Sequence, residues 1–372
     1  MESVCSSCFG DSDLRSWIRA FNGPRGCSAC KKFDSPTAPF NLVEDRIIEC
    51  LGRHYDRAVN VLSYNSREGG YLGDHWDSYE LLEKIDLGLP RDDGTLFHAL
   101  AEALGEEPWC DDDPGSLGLD RALRTSWDRF CQTVKHERRF FFHTSGDEDH
   151  DRESWSPISL LTHIARTSEQ IGLINVIPSG TRLWRARTDL KKGTKAWADD
   201  FGPPPREFAL QSNRMNPAGI PMLYTASTAT TALRETRTSS GRVGVWRVAD
   251  PLRVLDLRRL PPVPGMFSDN SKTLIHTLRF LRSFAADIMT PVDRSERVNV
   301  DYLPSQVVTE FVRDFNFDRG PIDGVAYSST VSRTGWNVAL FFGPADLGLE
   351  SPTHAEESAR LSFEKDVWAR TR

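Results

Sequence analysis

Four cysteines near the start of the chain constrain its fold more than any other feature. They are spaced Cys5-x2-Cys8, then eighteen residues, then Cys27-x2-Cys30. Each Cys-x2-Cys pair turns two thiolates toward one point, and two such knuckles supply the four ligands of tetrahedral zinc. The turn former Asn22-Gly23-Pro24 lies between them and lets the second knuckle return to the first. With thiolate in all four positions no coordination site stays open. The spacing therefore predicts a structural zinc that folds the segment and takes no part in catalysis. The chain has seven cysteines, an odd number, and no apolar leader follows Met1, so a cytoplasmic protein without a disulfide framework is expected. Cys50, Cys110 and Cys131 stand apart and read as small buried hydrophobes. The nearby basic residues Arg25, Lys31 and Lys32 are too few for a nucleic-acid footprint, and a net charge of −7 weakens that reading for the whole surface.

The 372 residues are 39% hydrophobic and 27% charged, which suits a globular protein of two or three domains. The longest apolar runs, such as Asn337 to Phe342, are of strand length, so no membrane span is expected. Behind the Pro/Ser-rich bridge Ser35–Pro39, the residues Val43, Ile47, Leu51, Tyr55, Val59 and Leu62 recur at helical spacing and predict a helix over 41–62. Weaker helical patterns cover 78–88 and 95–104, and another runs through Trp127, Phe130 and Val134. The acidic turn Asp111–Gly115 has Ala122 where a calcium loop needs Glu, and reads as a solvated loop. Beyond the polar stretch His143–Glu153 the pattern changes to short strands at 181–186, 221–225, 241–248, 253–257, 322–327 and 336–341. Helical patterns at 228–237, 271–289 and 303–315 interrupt them irregularly, which predicts an α+β sheet. The expected organisation is a four-cysteine zinc knuckle (1–40), a helical domain (41–145), a linker (146–160), a strand-rich domain (161–350) and a charged, helical C-terminal tail (351–372).

The sequence has no phosphate loop, no Gly-x-Gly-x-x-Gly turn, no His-Glu-x-x-His and no Gly-x-Ser-x-Gly elbow. Three other stretches carry chemistry. They are Leu183–Arg187, then Asn213–Ala226 running on into Thr231–Thr236, then Ile322–Ser329 followed by Gly335–Phe341. In order and spacing they resemble the RES domain, named for recurring Arg, Glu and Ser. The resemblance covers roughly residues 180–345, and Asn213–Glu235 is its specific part. The Cys-rich helical half resembles the HEPN/RES N-terminal domain. The resemblance implies a fold similar to mono-ADP-ribosyltransferases, with a mixed β-sheet, and NAD as substrate. Studied members are toxins, often encoded beside an antitoxin, that consume NAD or modify a protein with it. The resemblance thus allows an antitoxin or regulatory partner, a macromolecular ADP-ribose acceptor and a homo-oligomer. It makes Arg185 the family's arginine, Tyr224 its strand tyrosine, Glu235 its glutamate and Asn337 its asparagine. The serine position falls on Ser329, but Ser328 stands where a proline commonly precedes it, which leaves Ser328 and Ser329 both as candidates.

These residue types suit NAD on chemical grounds as well. A guanidinium on a strand binds phosphate oxygens in bidentate fashion, a role for Arg185 and Arg214. The ring of Tyr224 offers a stacking face to nicotinamide. A carboxylate stabilises the positive charge that develops on the ribose as nicotinamide departs, a role for Glu235. Asn216 and Gly219 would let backbone approach the ligand, and Ser227 or Thr228 would cap the helix carrying Glu235. Two other readings come from the helical half. Arg129 and His136 have the Arg-x6-His spacing of HEPN ribonucleases, with the imidazole as acid or base. Alternatively, the zinc-helical half is a regulatory module for the RES domain.

Overall fold

The computed structural model describes residues 1–23, 26–67, 69–89, 94–140, 154–290, 297–349 and 359–371. Pro24 and Arg25, positions 146–153 of the expected linker and positions 351–358 of the expected tail lie outside the described residues. The protein is α+β, with a helical N-terminal region and a mixed eight-stranded sheet. Two compact units form, one from Met1–Ala122 with Pro262–Arg279, the other from Leu123–Pro261 with Phe280–Arg372.

In the first unit the strand Ser3–Cys5 pairs antiparallel with Thr37–Pro39, and helices Ser12–Phe21, Phe40–Leu51, Ser78–Ile85 and Thr95–Leu104 follow local signals. Asp11 caps the first of these by accepting from the N–H groups of Asp13 and Leu14, and Asp77 forms a capping box with Glu80. Leu14, Ile18, Val43, Ile47 and Leu81 share one buried cluster with Cys5, Cys8 and Cys27. The expected 41–62 helix stops at Leu51. Gly52 begins a turn, and Tyr55–Arg57 then runs extended to pair with Trp109–Asp111. The apolar spacing continues past Gly52, but a strand partner distant in sequence decides the backbone.

The sheet of the second unit has strands β1 (Ile174–Ile177), β2 (Arg182–Arg187), β3 (Leu223–Ala226), β4 (Ser240–Val248), β5 (Leu252–Asp256), β6 (Gly324–Ser328), β7 (Trp336–Leu340) and β8 (Leu361–Arg370). Their order is β8-β4-β2-β3-β7-β6-β5-β1, and every pair is antiparallel except β5 with β6. Leu183, Leu223, Trp246, Val338 and Leu340 bury one face. Among its described residues the charged tail does not make the expected helix. Its described part is β8, an edge strand in which Leu361 is buried and Phe363 packs on Phe201 and Trp246. Glu364 meets Arg182 and Arg247, and Asp366 meets Arg242, so the tail's charges are cross-strand partners.

Candidate active site

Strands β2 and β3 share a single register pair, Trp184 with Ala226, the shortest ladder in the sheet. A cavity of about 500 Å³ opens beside it. Trp184 and Ala186 line it, and so do Arg185 and Arg187, which alternate with them along β2. The open end of the ladder lets both faces of one strand reach the same space. Tyr224 on β3, Asn337 on β7, Tyr327 on β6, Asn216 and Glu235 complete the part that matters for chemistry.

Glu235 ends the helix Ala229–Glu235. Of the two expected caps, Thr228 is the one used, its Oγ1 accepting from the N–H of Thr231 at 3.1 Å; Ser227 instead accepts from the N–H of Trp336. The segment before β7 comes close to this helix, and a Cβ at Gly335 would fall 2.2 Å from Thr231 Oγ1, so glycine is needed there. The carboxylate is held at one oxygen only. Oε1 accepts from Ser329 Oγ at 2.7 Å and from Asn337 Nδ2 at 2.6 Å. Among the described residues no group donates to Oε2. Ser329 is therefore the serine that meets the glutamate, while Ser328 is exposed; neither of the two expected serines lines the cavity itself.

Tyr224 is locked through its hydroxyl, which donates to Asn216 Oδ1 at 2.7 Å and accepts from the N–H of Met215 at 3.1 Å. Burial, then the Tyr327 phenol, push its pKa above that of ordinary tyrosine, so the side chain stays neutral and presents a ring rather than a proton. Asn216, 3% exposed, spends its amide on the carbonyls of Ile220 and Pro217. Its side chain thus fixes the tyrosine, while Gly219 adopts φ 91° in the same turn. Gln306 holds this loop, donating to Ser212 Oγ and to the carbonyls of Asn213 and Asn216.

Arg185 has the least ordinary surroundings. Its Nη1 is buried, and no hydrogen bond or ion pair reaches its guanidinium among the described residues. Burial, then the neighbouring Arg187 cation, push its pKa well below the usual arginine range. Arg187 itself is engaged by the carbonyls of Asp200 and Gly202. Arg214 is not a lining residue; its guanidinium lies over the ring of Tyr327 at 5.5 Å. Arg185→Met is expected to stabilise the ligand-free protein by about 1–3 kcal/mol, because an apolar chain of similar length replaces an unpaired, partly buried cation whose Nη1 is cut off from water. Denaturant unfolding measures the change, and a loss of stability would show that the guanidinium supports the fold by another route.

A family model described as RES domain matches residues 182–363. The chain is a RES-domain protein. A second family model, HEPN/RES N-terminal domain 1, matches residues 21–148. No curated protein and no solved structure matches the chain. The RES match takes in every cavity residue named above and runs into β8, which belongs to the sheet and not to an appendage.

In the HEPN/RES N-terminal domain, Arg129 and His136 are both exposed, and neither lines the cavities described. A π-helical segment, Thr133–Glu137, replaces the α-helical turn that would have aligned them. Ahead of the matched segment stand Cys5 and Cys8, which meet Cys27 and Cys30 in the first unit. The sulfurs of Cys5 and Cys8 are 3.6 Å apart, those of Cys8 and Cys27 3.6 Å, and those of Cys5 and Cys30 3.7 Å. Tetrahedral zinc with Zn–S bonds of about 2.3 Å places its sulfurs roughly 3.8 Å apart, so the four thiols fit such an ion. Cys27 Sγ also accepts from the N–H groups of Cys5 and Cys30, which suits a thiolate. Cys50 and Cys110 are fully buried and Cys131 partly so.

Residues with no assigned role in the sequence reading also line the cavity. Tyr327, Arg187, Thr225 and Gln211 are among them. Tyr327 could have been found, because it pairs with Asn337 in the β6–β7 register and so shares its face.

Proposed function

We propose that the RES domain cleaves the nicotinamide–ribose bond of NAD, acting as a toxin or defence effector. The single observation that carries this reading is the convergence on one cavity of an unpaired, partly buried cation, a neutral aromatic ring and a carboxylate with one oxygen free among the described residues. Each answers one part of the dinucleotide. Arg185 takes the pyrophosphate, whose oxygens supply the negative charge the guanidinium lacks. Tyr224 stacks on nicotinamide.

Glu235 acts at the ribose. As the C1′–N bond breaks, its electron pair leaves with nicotinamide, which departs neutral, and positive charge develops on the ribose. Oε2 faces that charge, and Ser329 and Asn337 hold the carboxylate through Oε1 so that it need not reorient. A nucleophile then adds at C1′ and gives its proton to solvent. Water yields ADP-ribose, phosphate yields ADP-ribose 1″-phosphate, and a macromolecular side chain yields an ADP-ribosylated product. On this reading the four N-terminal thiolates hold a structural zinc, and the unit they belong to is a regulatory or docking module.

Incubation of the full chain with NAD, with and without inorganic phosphate, followed by mass spectrometry, tests the proposal. Free nicotinamide is expected, and its partner product identifies the acceptor. Intact NAD under both conditions would reject the reading.

A further inference from the structure

Thr225 is 4% exposed in β3, yet its Oγ1 is buried with no hydrogen-bond partner. A buried hydroxyl left unpaired has lost its water without gaining a partner, and valine would fill the same β-branched volume without that cost. Arg185 Nη1 is in the same condition. Both residues line the cavity.

The register brings the two together. β2 and β3 run antiparallel with Trp184 opposite Ala226. Positions 185 and 225 are the next along each strand past that last pair, where the ladder ends, and both line the cavity. A hydroxyl and a guanidinium, each with a buried orphan polar atom, therefore line the same cavity where the ladder has opened. Among the described residues no carboxylate or carbonyl meets either group. The complement of two such donors is an anion with several oxygens, one for the planar guanidinium and one for the hydroxyl, and a phosphoryl group has that form.

We propose that Thr225 and Arg185 together build a diphosphate subsite, in which the Thr225 hydroxyl donates to a phosphate oxygen that Arg185 also holds. This deepens the NAD reading by adding a ligand-binding residue that the family motif does not mark, and it can be tested apart from any turnover of NAD. The subsite places the diphosphate at the gap between β2 and β3, and Glu235 and Asn337 receive the nicotinamide ribose further along the cavity.

The test is binding of inorganic pyrophosphate to the full chain by calorimetry, with no NAD present. Thr225→Val is expected to weaken binding about tenfold or more, the usual loss for a hydrogen bond to a charged group, while Thr225→Ser keeps most of the affinity. Thr225→Ala, scored the same way, covers the case in which valine disturbs the strand. Thermal unfolding of the ligand-free variants should show Thr225→Val at least as stable as the parent, since an orphan hydroxyl is removed. Pyrophosphate that fails to bind the parent chain, or binds Thr225→Val and Thr225→Ala as tightly as the parent, would overturn the subsite. Neither result depends on nicotinamide release, so the subsite and the NAD reading can fail separately.

Discussion

Glu235→Gln is expected to slow nicotinamide release from NAD by roughly 30- to 1000-fold in kcat, equivalent to about 2–4 kcal/mol of transition-state stabilisation. Glutamine keeps the shape of the side chain and an oxygen that can accept from Ser329 Oγ and Asn337 Nδ2, so the helix end and the loop should stay in place. What it removes is the negative charge on the oxygen facing the ribose. That charge acts only when the oxocarbenium forms, so KM for NAD should change little while kcat falls. Equal rates of nicotinamide release from the parent and the glutamine variant, each with the parent's unfolding midpoint, would refute the role given to this carboxylate.

Removal of a metal held by the four proposed thiolate ligands should have an effect of comparable or larger size, on stability. Cys5, Cys8 and Cys27 lie inside the same buried cluster as Leu14, Ile18 and Val43, so these sulfurs belong to the core of the first unit. Thiolates packed this closely repel one another unless a cation sits among them, and zinc-binding free energy in such sites becomes folding free energy. The purified protein should carry one zinc per chain by elemental analysis. A strong chelator, or Cys8→Ser, should unfold the first unit, seen as lost helical ellipticity and a lower or absent first thermal transition. A metal-free chain with the same unfolding curve would show that the cluster needs no ion.

Much of the second unit is legible in the sequence because its strands are short, rich in β-branched residues and bounded by turns. Val243 and Val245 with Trp246 mark β4, and the Leu223–Glu235 spacing already contains a strand, a cap and two helical turns. The convergence of Arg185, Tyr224, Asn216, Glu235 and Asn337 on one cavity follows from that pattern together with the family resemblance. The choice between Ser328 and Ser329 needs the structure, since only the turn just past the end of β6 brings Ser329 Oγ to Glu235.

Other features are invisible for a physical reason: they depend on distant partners. The charges of β8 suggest a solvated helix until Arg182, Arg242 and Arg247 stand across from them. The break at Gly52 reflects pairing with Trp109–Asp111. The orphan atoms of Arg185 and Thr225 are defined by what fails to reach them, which no local pattern records.

The hydrogen bonds at Glu235 also bear on how the protein matures. Ser329 lies 94 residues and Asn337 102 residues after the carboxylate they hold. A nascent chain therefore presents the glutamate long before it has the groups that aim it, and such distant pairings are among the slower events of folding. If the proposed NAD cleavage holds, competence would arrive late, as a property of the finished sheet, and a partially synthesised chain would pose no threat to the dinucleotide pool of the cell that makes it.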